Sequence, residues 1–387
     1  MGWNDTLADY PRQAIHQLFE RHAARQPDAP AILDPGSSSR LTYDELNARA
    51  NQLAHHLQAR GIAAGQHVGV CLERSAEFVV ALLAIWKAGA VAVPLDPAYP
   101  REHLAFVLED AAPRAVVTAP ALQGLLPLTS AEVIAPDAGG EPAANLPCVT
   151  GPDDVAHIFY TSGSTGRPKG VLGLHRATAN QCAWLQRVSL EPGERVATKA
   201  SVAFVIVVWE ITWALLAGLP LVIVPSRAAG DPEQLVPLLA EHGVTRLLVI
   251  PLFLRALLDR YPDLGQRVPS LRHFVFTGEN MPRALARRLF EAAPGAVVRN
   301  IYGATESTAA LSFEARQDPE QPLVPGGRPT PNSRVYILDE QRQPLQEGDI
   351  GELYLAGDNV SGGYLNRADL TAERFLLDPF RPDGSLM

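Results

Sequence analysis

An α/β fold of helix-covered sheets, divided into more than one subdomain, is predicted by three observations. Stretches of strand period and helix period alternate through the first third of the chain. The 387 residues are 47% apolar, enough to bury a large core. A turn dense in glycine and hydroxyl residues directly follows the apolar run Val155–Phe159.

The elements follow in order. Thr42 to Arg60 reads as a helix, because Thr42 and Glu45 can form a capping box and Leu46, Ala50, Leu53, Ala54 and Leu57 share one face. Gly61 ends it. Val68, Val70 and Leu72 alternate as a strand, Ala76 to Lys87 returns to helical spacing and stops before Gly89, and Ala115–Ala119 reads as a further strand. Ala135 to Pro147, rich in Pro, Gly and Ala, reads as a connecting loop. A second α/β stretch is expected from about Val155 to Ala310, and short alternating strands from Arg334 to Leu355 predict a small β subdomain.

The formal charge of −9 argues against a nucleic-acid or anionic-membrane surface, either of which favours a basic face. Cys71, Cys148 and Cys182 lie far apart without metal-ligand spacing and read as reduced core thiols in a cytoplasmic protein. There is no apolar leader and no uninterrupted apolar run of membrane length; Ala203–Ile211 is interrupted by Glu210.

The richest chemistry lies in Tyr160–Val171. Thr161, Ser162, Ser164 and Thr165, the glycines Gly163, Gly166 and Gly170, and Lys169 fall within a dozen residues. Glycines let successive N–H groups turn toward one anion, hydroxyls add donors, and the lysine adds a mobile positive charge. A Walker A loop is excluded because Gly170 follows Lys169, and a nucleophile elbow does not fit the spacing. A flexible Ser/Gly linker has no need of Pro168-Lys169-Gly170 at its end.

This run resembles the phosphate loop of adenylate-forming enzymes, most closely the adenylation domains of nonribosomal peptide synthetases. Further segments resemble that family in order: Leu41–Leu46, Lys87–Pro100, Asn300–Glu306, Gly351–Gly357 and Gly362–Tyr364. The resemblance implies the large N-terminal part of the adenylate-forming fold: two helix-covered sheet subdomains and a small β-barrel-like one, without the mobile C-terminal domain. It assigns residues 1–12, with Trp3–Thr6 and Tyr10-Pro11, to a linker following a condensation domain, and residues 13–387 to the adenylation core ending before the hinge. Residues 1–387 alone are accordingly expected to catalyse only weakly.

The implied reaction joins a carboxylate to the α-phosphate of ATP, expels pyrophosphate, and loads the acyl group onto the phosphopantetheine thiol of a carrier protein. Residue by residue, the resemblance gives Thr161, Ser162, Gly163, Ser164, Thr165 and Gly166 to the phosphates, and Lys169 and Thr305 to catalysis. Glu306 falls to catalysis and Mg²⁺, and Gly278, Glu279, Asn300, Ile301, Tyr302 and Gly303 to the nucleotide. One carboxylate completed by phosphates and waters is an ordinary magnesium set. Ala304 replaces the family's usual proline.

Phe204-Val205-Ile206-Val207-Val208-Trp209-Glu210 departs from the family's Phe-Asp-x-x-x-Trp-Glu, whose aspartate pairs with the ammonium of an α-amino acid. A buried ammonium without its partner costs roughly 3–5 kcal/mol. The carried-over substrate positions are Phe204, Val205, Ile206, Trp209, Leu248, Val275, Thr277, Ile301, Ala309 and Ala310, with no charge among them. A modest apolar acid is expected. A branched α-keto acid comes first, with a ketoreductase as a further neighbour in the synthetase. An aryl acid, a β-amino acid, an acyl-CoA ligase activity, an inactive domain and a purely nucleotide-binding core remain open alternatives.

Overall fold

The computed structural model describes residues 2–162, 167–189, 193–315 and 322–381. Two sheets and a two-stranded ribbon carry the fold. The first sheet runs in the order Glu132–Ile134, Ala115–Thr118, His67–Cys71, Val91–Pro94, Val155–Thr161, Lys169–Leu174. All its pairs are parallel except the last, a hairpin. The second sheet has nine strands: Arg328–Pro329, Thr308–Ala315, Val297–Ala304, His273–Phe276, Arg246–Val249, Val196–Thr198, Leu221–Ile223, Pro30–Asp34 and Ser39–Thr42. Its interior strands are parallel, and antiparallel pairs lie at both ends.

Local chemistry explains several elements. The helix Tyr43–Ala59 has the expected box: Glu45 N–H donates to Thr42 Oγ1 and Thr42 N–H donates to Glu45 Oε2. Gly61 follows at φ +79°, the left-handed stop that favours glycine. The helix Ala76–Lys87 is buried at every position but Glu77, so it is apolar all round and lies within the core. Its last residue, Lys87, is paired with Glu20. The strand His67–Cys71 is buried at four consecutive positions, unlike the half-exposed strand that alternation suggests, because its parallel neighbours leave both faces covered.

The sheets interleave along the chain. Val155–Thr161 and Lys169–Leu174, expected to open the second α/β stretch, complete the first sheet, whereas Pro30–Thr42 closes the edge of the second. One apolar cluster spans both, including residues of the helices Ile15–Arg25, Tyr43–Ala59, Ala76–Lys87 and Ile206–Leu215. The small β subdomain is, among the described residues, the antiparallel ribbon Ser333–Leu338 with Glu352–Gly357.

Residues 4–10 fold onto this core. Asn4 exchanges side-chain hydrogen bonds with both backbone groups of Val335, Thr6 Oγ1 donates to Ser333 O at 2.6 Å, and Tyr10 Oη donates to Asp358 Oδ2 at 2.7 Å. Asn332 clamps the segment through both groups of Ala8. Cys71 and Cys182 are buried, as expected of core thiols. Cys148 is exposed, because it lies in the non-helical connection before Val155–Thr161; its thiol donates to Thr150 O.

Candidate functional site

A strand end at Lys169, one hairpin tip and one edge segment converge. The first hairpin pairs Val155–Thr161 with Lys169–Leu174, with Thr161 opposite Lys169, so the lysine stands at the mouth of the glycine-rich turn. Gly163, Ser164, Thr165 and Gly166 lie outside the described residues. The second hairpin pairs Val297–Ala304 with Thr308–Ala315 and carries Thr305-Glu306-Ser307 at its tip. Glycine is required at Gly303: the register slips there, and a Cβ would run into the Thr308 carbonyl oxygen. Thr308 takes the left-handed φ of +44° that a short loop of this kind needs, an uncommon conformation for a β-branched residue.

Gly362 to Leu365 forms the third piece. Leu172 N–H donates to Gly363 O, Gly362 N–H to Leu172 O and Leu365 N–H to Gly170 O, so this segment adds to the Lys169–Leu174 edge. It carries Tyr364 to the lysine. Ser361 N–H donates to Glu306 O and Asn359 Nδ2 donates to Ser307 O, which pins the second tip to the same segment.

At the junction Lys169 Nζ donates to Glu306 Oε1 at 2.7 Å and to Tyr364 Oη at 2.7 Å, and Tyr364 Oη donates to Glu306 Oε1 at 2.9 Å. The ammonium also stands 4.2 Å from the tyrosine ring centroid. Burial works against the Lys169 charge most strongly, but the hydrogen bonds and charges of Glu306 and Tyr364 together outweigh it and raise the lysine above its ordinary value. Burial likewise opposes the Glu306 carboxylate, and Lys169 and Tyr364 together hold it below the usual range. The pair therefore stays ionised. Glu306 and Tyr364 also line a cavity of about 500 Å³ with Leu355, Val360 and Arg374.

The other nucleotide candidates surround this point in different ways. Tyr302 is 45% exposed, an aromatic face open to solvent. Gly278, at φ +84°, and Glu279 are exposed after the strand His273–Phe276. Asn300 is buried and donates to Pro325 O, while Ile301 is buried in the core. Ser162 is exposed, and Thr161 Oγ1 is a buried hydroxyl without a hydrogen-bond partner among the described residues. No cluster of three His, Cys, Asp or Glu among the described residues could hold a metal. Glu306 with non-protein oxygens fits a magnesium ion once Lys169 releases the carboxylate.

The acid-pocket candidates gather by period. Strand residues two apart share a face. Leu248, Val275, Ile301 and Ala309 come from four neighbouring strands and belong to the cluster between the sheets, whereas Leu247, Val249, Phe274 and Phe276 belong to the cluster on the other face. Thr277 has the parity of Val275 and is buried. Val205 and Trp209, four apart at the start of Ile206–Leu215, join the same cluster, with Ile206 packed against it. Ala310 is buried but has the parity opposite to Ala309, and Phe204 is 59% exposed. Glu210 is committed elsewhere: its Oε2 accepts from Thr198 Oγ1 and from the N–H groups of Lys199 and Ala200.

Tyr364 was not among the expected site residues. Its three-residue motif fell within a matching segment, but nothing in the local sequence shows that Gly362–Leu365 will lie beside a lysine almost two hundred positions earlier.

Residues 19–365 match the family described as AMP-binding enzyme. The chain is 39% identical to chondramide synthase cmdD of Chondromyces crocatus over 98% of its own length and 10% of that protein. It is 39% identical to phosphinothricin tripeptide synthetase PhsB of Streptomyces viridochromogenes over 100% of its length and 33% of the relative. The chain thus spans a third or less of these two relatives. Among solved structures, the nonribosomal peptide synthetase FmoA3 in its alpha-methyl-L-serine-AMP bound form superposes with a TM-score of 0.93 at 31% identity, covering 100% of this chain and 44% of that one. The Klebsiella oxytoca NpsA N-terminal subdomain in complex with 3-hydroxybenzoyl-AMSN gives 0.87 at 28%, covering 97% of this chain and 93% of that one. With its motifs in family order, its fold matched throughout and its lysine and glutamate brought together from two hairpins, the chain belongs to the AMP-binding enzyme family.

Proposed function

We propose that this chain is the large core of an adenylation domain in a peptide synthetase, activating a small apolar acid that lacks an α-ammonium, with an α-keto acid first. The observation that carries the nucleotide part is the meeting of Lys169 and Glu306. The acid's carboxylate oxygen attacks the α-phosphorus of ATP, the bond from that phosphorus to the bridging oxygen of the β-phosphate breaks, and pyrophosphate leaves with the electron pair. Such a transfer needs alignment and charge stabilisation more than covalent help. Lys169, turning from Glu306 toward the phosphates, neutralises the charge that develops on the leaving group. Thr161 Oγ1 offers a phosphate oxygen the donor it now withholds from any described partner. Magnesium, when bound by Glu306, would spread the negative charge of the phosphates. Tyr302 supplies a flat face for adenine.

Substrate choice rests on the wall. Val205 occupies the position that the resemblance gives to the family's ammonium-binding aspartate, and none of the carried-over wall residues, Leu248, Val275, Ile301 and Ala309 among them, is charged. Among the wall residues, the buried polar atom without a partner in the described chain is Trp209 Nε1, a donor, which suits an oxygen and not an ammonium. The two structural neighbours carry an amino acyl adenylate and an aryl acyl analogue, so the fold by itself does not choose.

The acyl group would pass to a carrier-protein thiol, with a condensation domain and a ketoreductase as neighbours. These partners, and a cytoplasmic location, belong to the proposal. The test is acid-dependent ATP–pyrophosphate exchange with keto, hydroxy, amino and aryl acids, using the chain extended by the lysine-bearing C-terminal domain the family supplies. A branched keto acid is expected to lead and α-amino acids to trail. Preference for an ordinary α-amino acid would overturn the substrate reading; preference for an aryl acid would move it to the second class.

A further inference from the structure

We infer that Tyr364 is a positioning residue for Glu306: its hydroxyl holds the carboxylate in place as Lys169 withdraws and a divalent cation arrives. The inference rests on the reading that magnesium and ATP bind at this junction.

The present arrangement is a closed ring of three groups. Glu306 Oε1 accepts from both Lys169 Nζ and Tyr364 Oη, and Tyr364 Oη in turn accepts from Lys169. A cation approaching Glu306 Oε1 meets the like charge of the ammonium at contact distance, which disfavours both holding that oxygen at once. When Lys169 moves to the phosphates, Glu306 loses its strongest partner. Glu306 sits at the tip of a three-residue loop, and its carboxylate would be free to rotate. Among the described residues, Tyr364 Oη is the remaining side-chain donor to that oxygen. A tyrosine hydroxyl can serve either partner: it gives up the lysine N–H it accepts and keeps the bond it donates.

The tyrosine is held through its backbone and through one edge of its ring. The flanking backbone is hydrogen-bonded into the Lys169–Leu174 edge, Tyr364 N–H donates to Thr371 Oγ1 at 3.0 Å, and Phe375 packs edge-on at 5.2 Å between ring centroids. The residue is buried and lines the same cavity as Glu306. Metal-binding carboxylates are commonly oriented by such outer partners, whose loss lowers metal affinity about 10–100-fold.

Tyr364→Phe removes one oxygen and keeps the ring packing. The readout is the Mg²⁺ midpoint for binding of trinitrophenyl-ATP to the 387-residue chain, followed by fluorescence, with a magnesium-free titration alongside. Tyr364→Phe is expected to raise the Mg²⁺ midpoint about tenfold, leaving magnesium-free affinity and melting temperature near wild type. Glu306→Gln marks the full loss of the magnesium dependence. An unchanged midpoint in Tyr364→Phe, or affinity lost equally with and without Mg²⁺, would overturn the inference and leave the tyrosine a packing residue. Should the variant not fold, Tyr364→Leu also removes the donor and is expected to raise the Mg²⁺ midpoint about tenfold; a wild-type midpoint there overturns the inference as well. If the unaltered chain binds no nucleotide in a magnesium-dependent way, the nucleotide reading itself fails, an outcome distinct from a Tyr364-specific one.

Discussion

Val205 carries the substrate argument. It is buried at the start of Ile206–Leu215, in the cluster that holds Trp209, Leu248, Val275, Ile301 and Ala309. An ammonium placed against such a face would lose its hydration without gaining a counter-ion, at a cost of roughly 3–5 kcal/mol, or two to three and a half powers of ten in rate. Val205→Asp is therefore expected to lower exchange with the keto acid at least about a hundredfold and to raise it with the matching α-amino acid. Exchange assays on the two acids check this, and unaltered selectivity would show that the pocket positions are misassigned. The face of each strand was legible from spacing because side-chain period is 2 in any strand. That Phe204 stands out in solvent was not legible, because nothing in an apolar run marks where the chain turns before a helix begins.

At the scale of elements, three histidines meet where the helix Ile15–Arg25, the strand Val155–Thr161 and the helix His175–Ser189 pack. His16 and His175 lie 6.2 Å apart between ring centroids, and Trp86 stacks edge-on against His175. Burial, with Lys87 adding to it for His16, lowers His16 to about 4; burial alone lowers His157 to about 4. His175 is held well below its ordinary value by burial and then by its two neighbours. A histidine depressed in the folded state is fully compatible with folding above its unfolded value of about 6.5, and stability falls as pH drops from there toward 4, because the unfolded chain binds the additional protons. At full titration the loss is about 3 kcal/mol each for His16 and His157. Urea midpoints are expected to fall between about pH 6.5 and 5, where ordinary carboxylates remain ionised. A constant midpoint over that interval would contradict the neutral, buried state of these rings. Helices and their caps were legible here, as at Thr42 and Glu45, because capping is local chemistry; that three histidines share one interior was not, since they come from distant segments.

Over the whole molecule, residue spacing and motifs indicate the α/β class, the small β subdomain and the order of the motifs, but they assign the strands to sheets by proximity along the chain. The fold instead places Pro30–Thr42 at the far edge of the second sheet and closes the first with the hairpin Val155–Leu174. This interleaving is what brings a lysine from one sheet to a glutamate from the other, with Tyr364 arriving from the segment after the ribbon. Residues 4–10, read as a linker, are tied to the ribbon by Asn332, Ser333 and Val335, so the segment is also part of the folded body. The measurement that bears most directly on the account is acid-dependent ATP–pyrophosphate exchange by Lys169→Ala and Glu306→Gln in the extended chain. Each substitution is expected to lower the exchange rate about a hundredfold or more while leaving the rank order of acids as in the unaltered protein. Exchange at the unaltered rate by either variant would contradict the assignment of the Lys169–Glu306 junction to the phosphates of ATP.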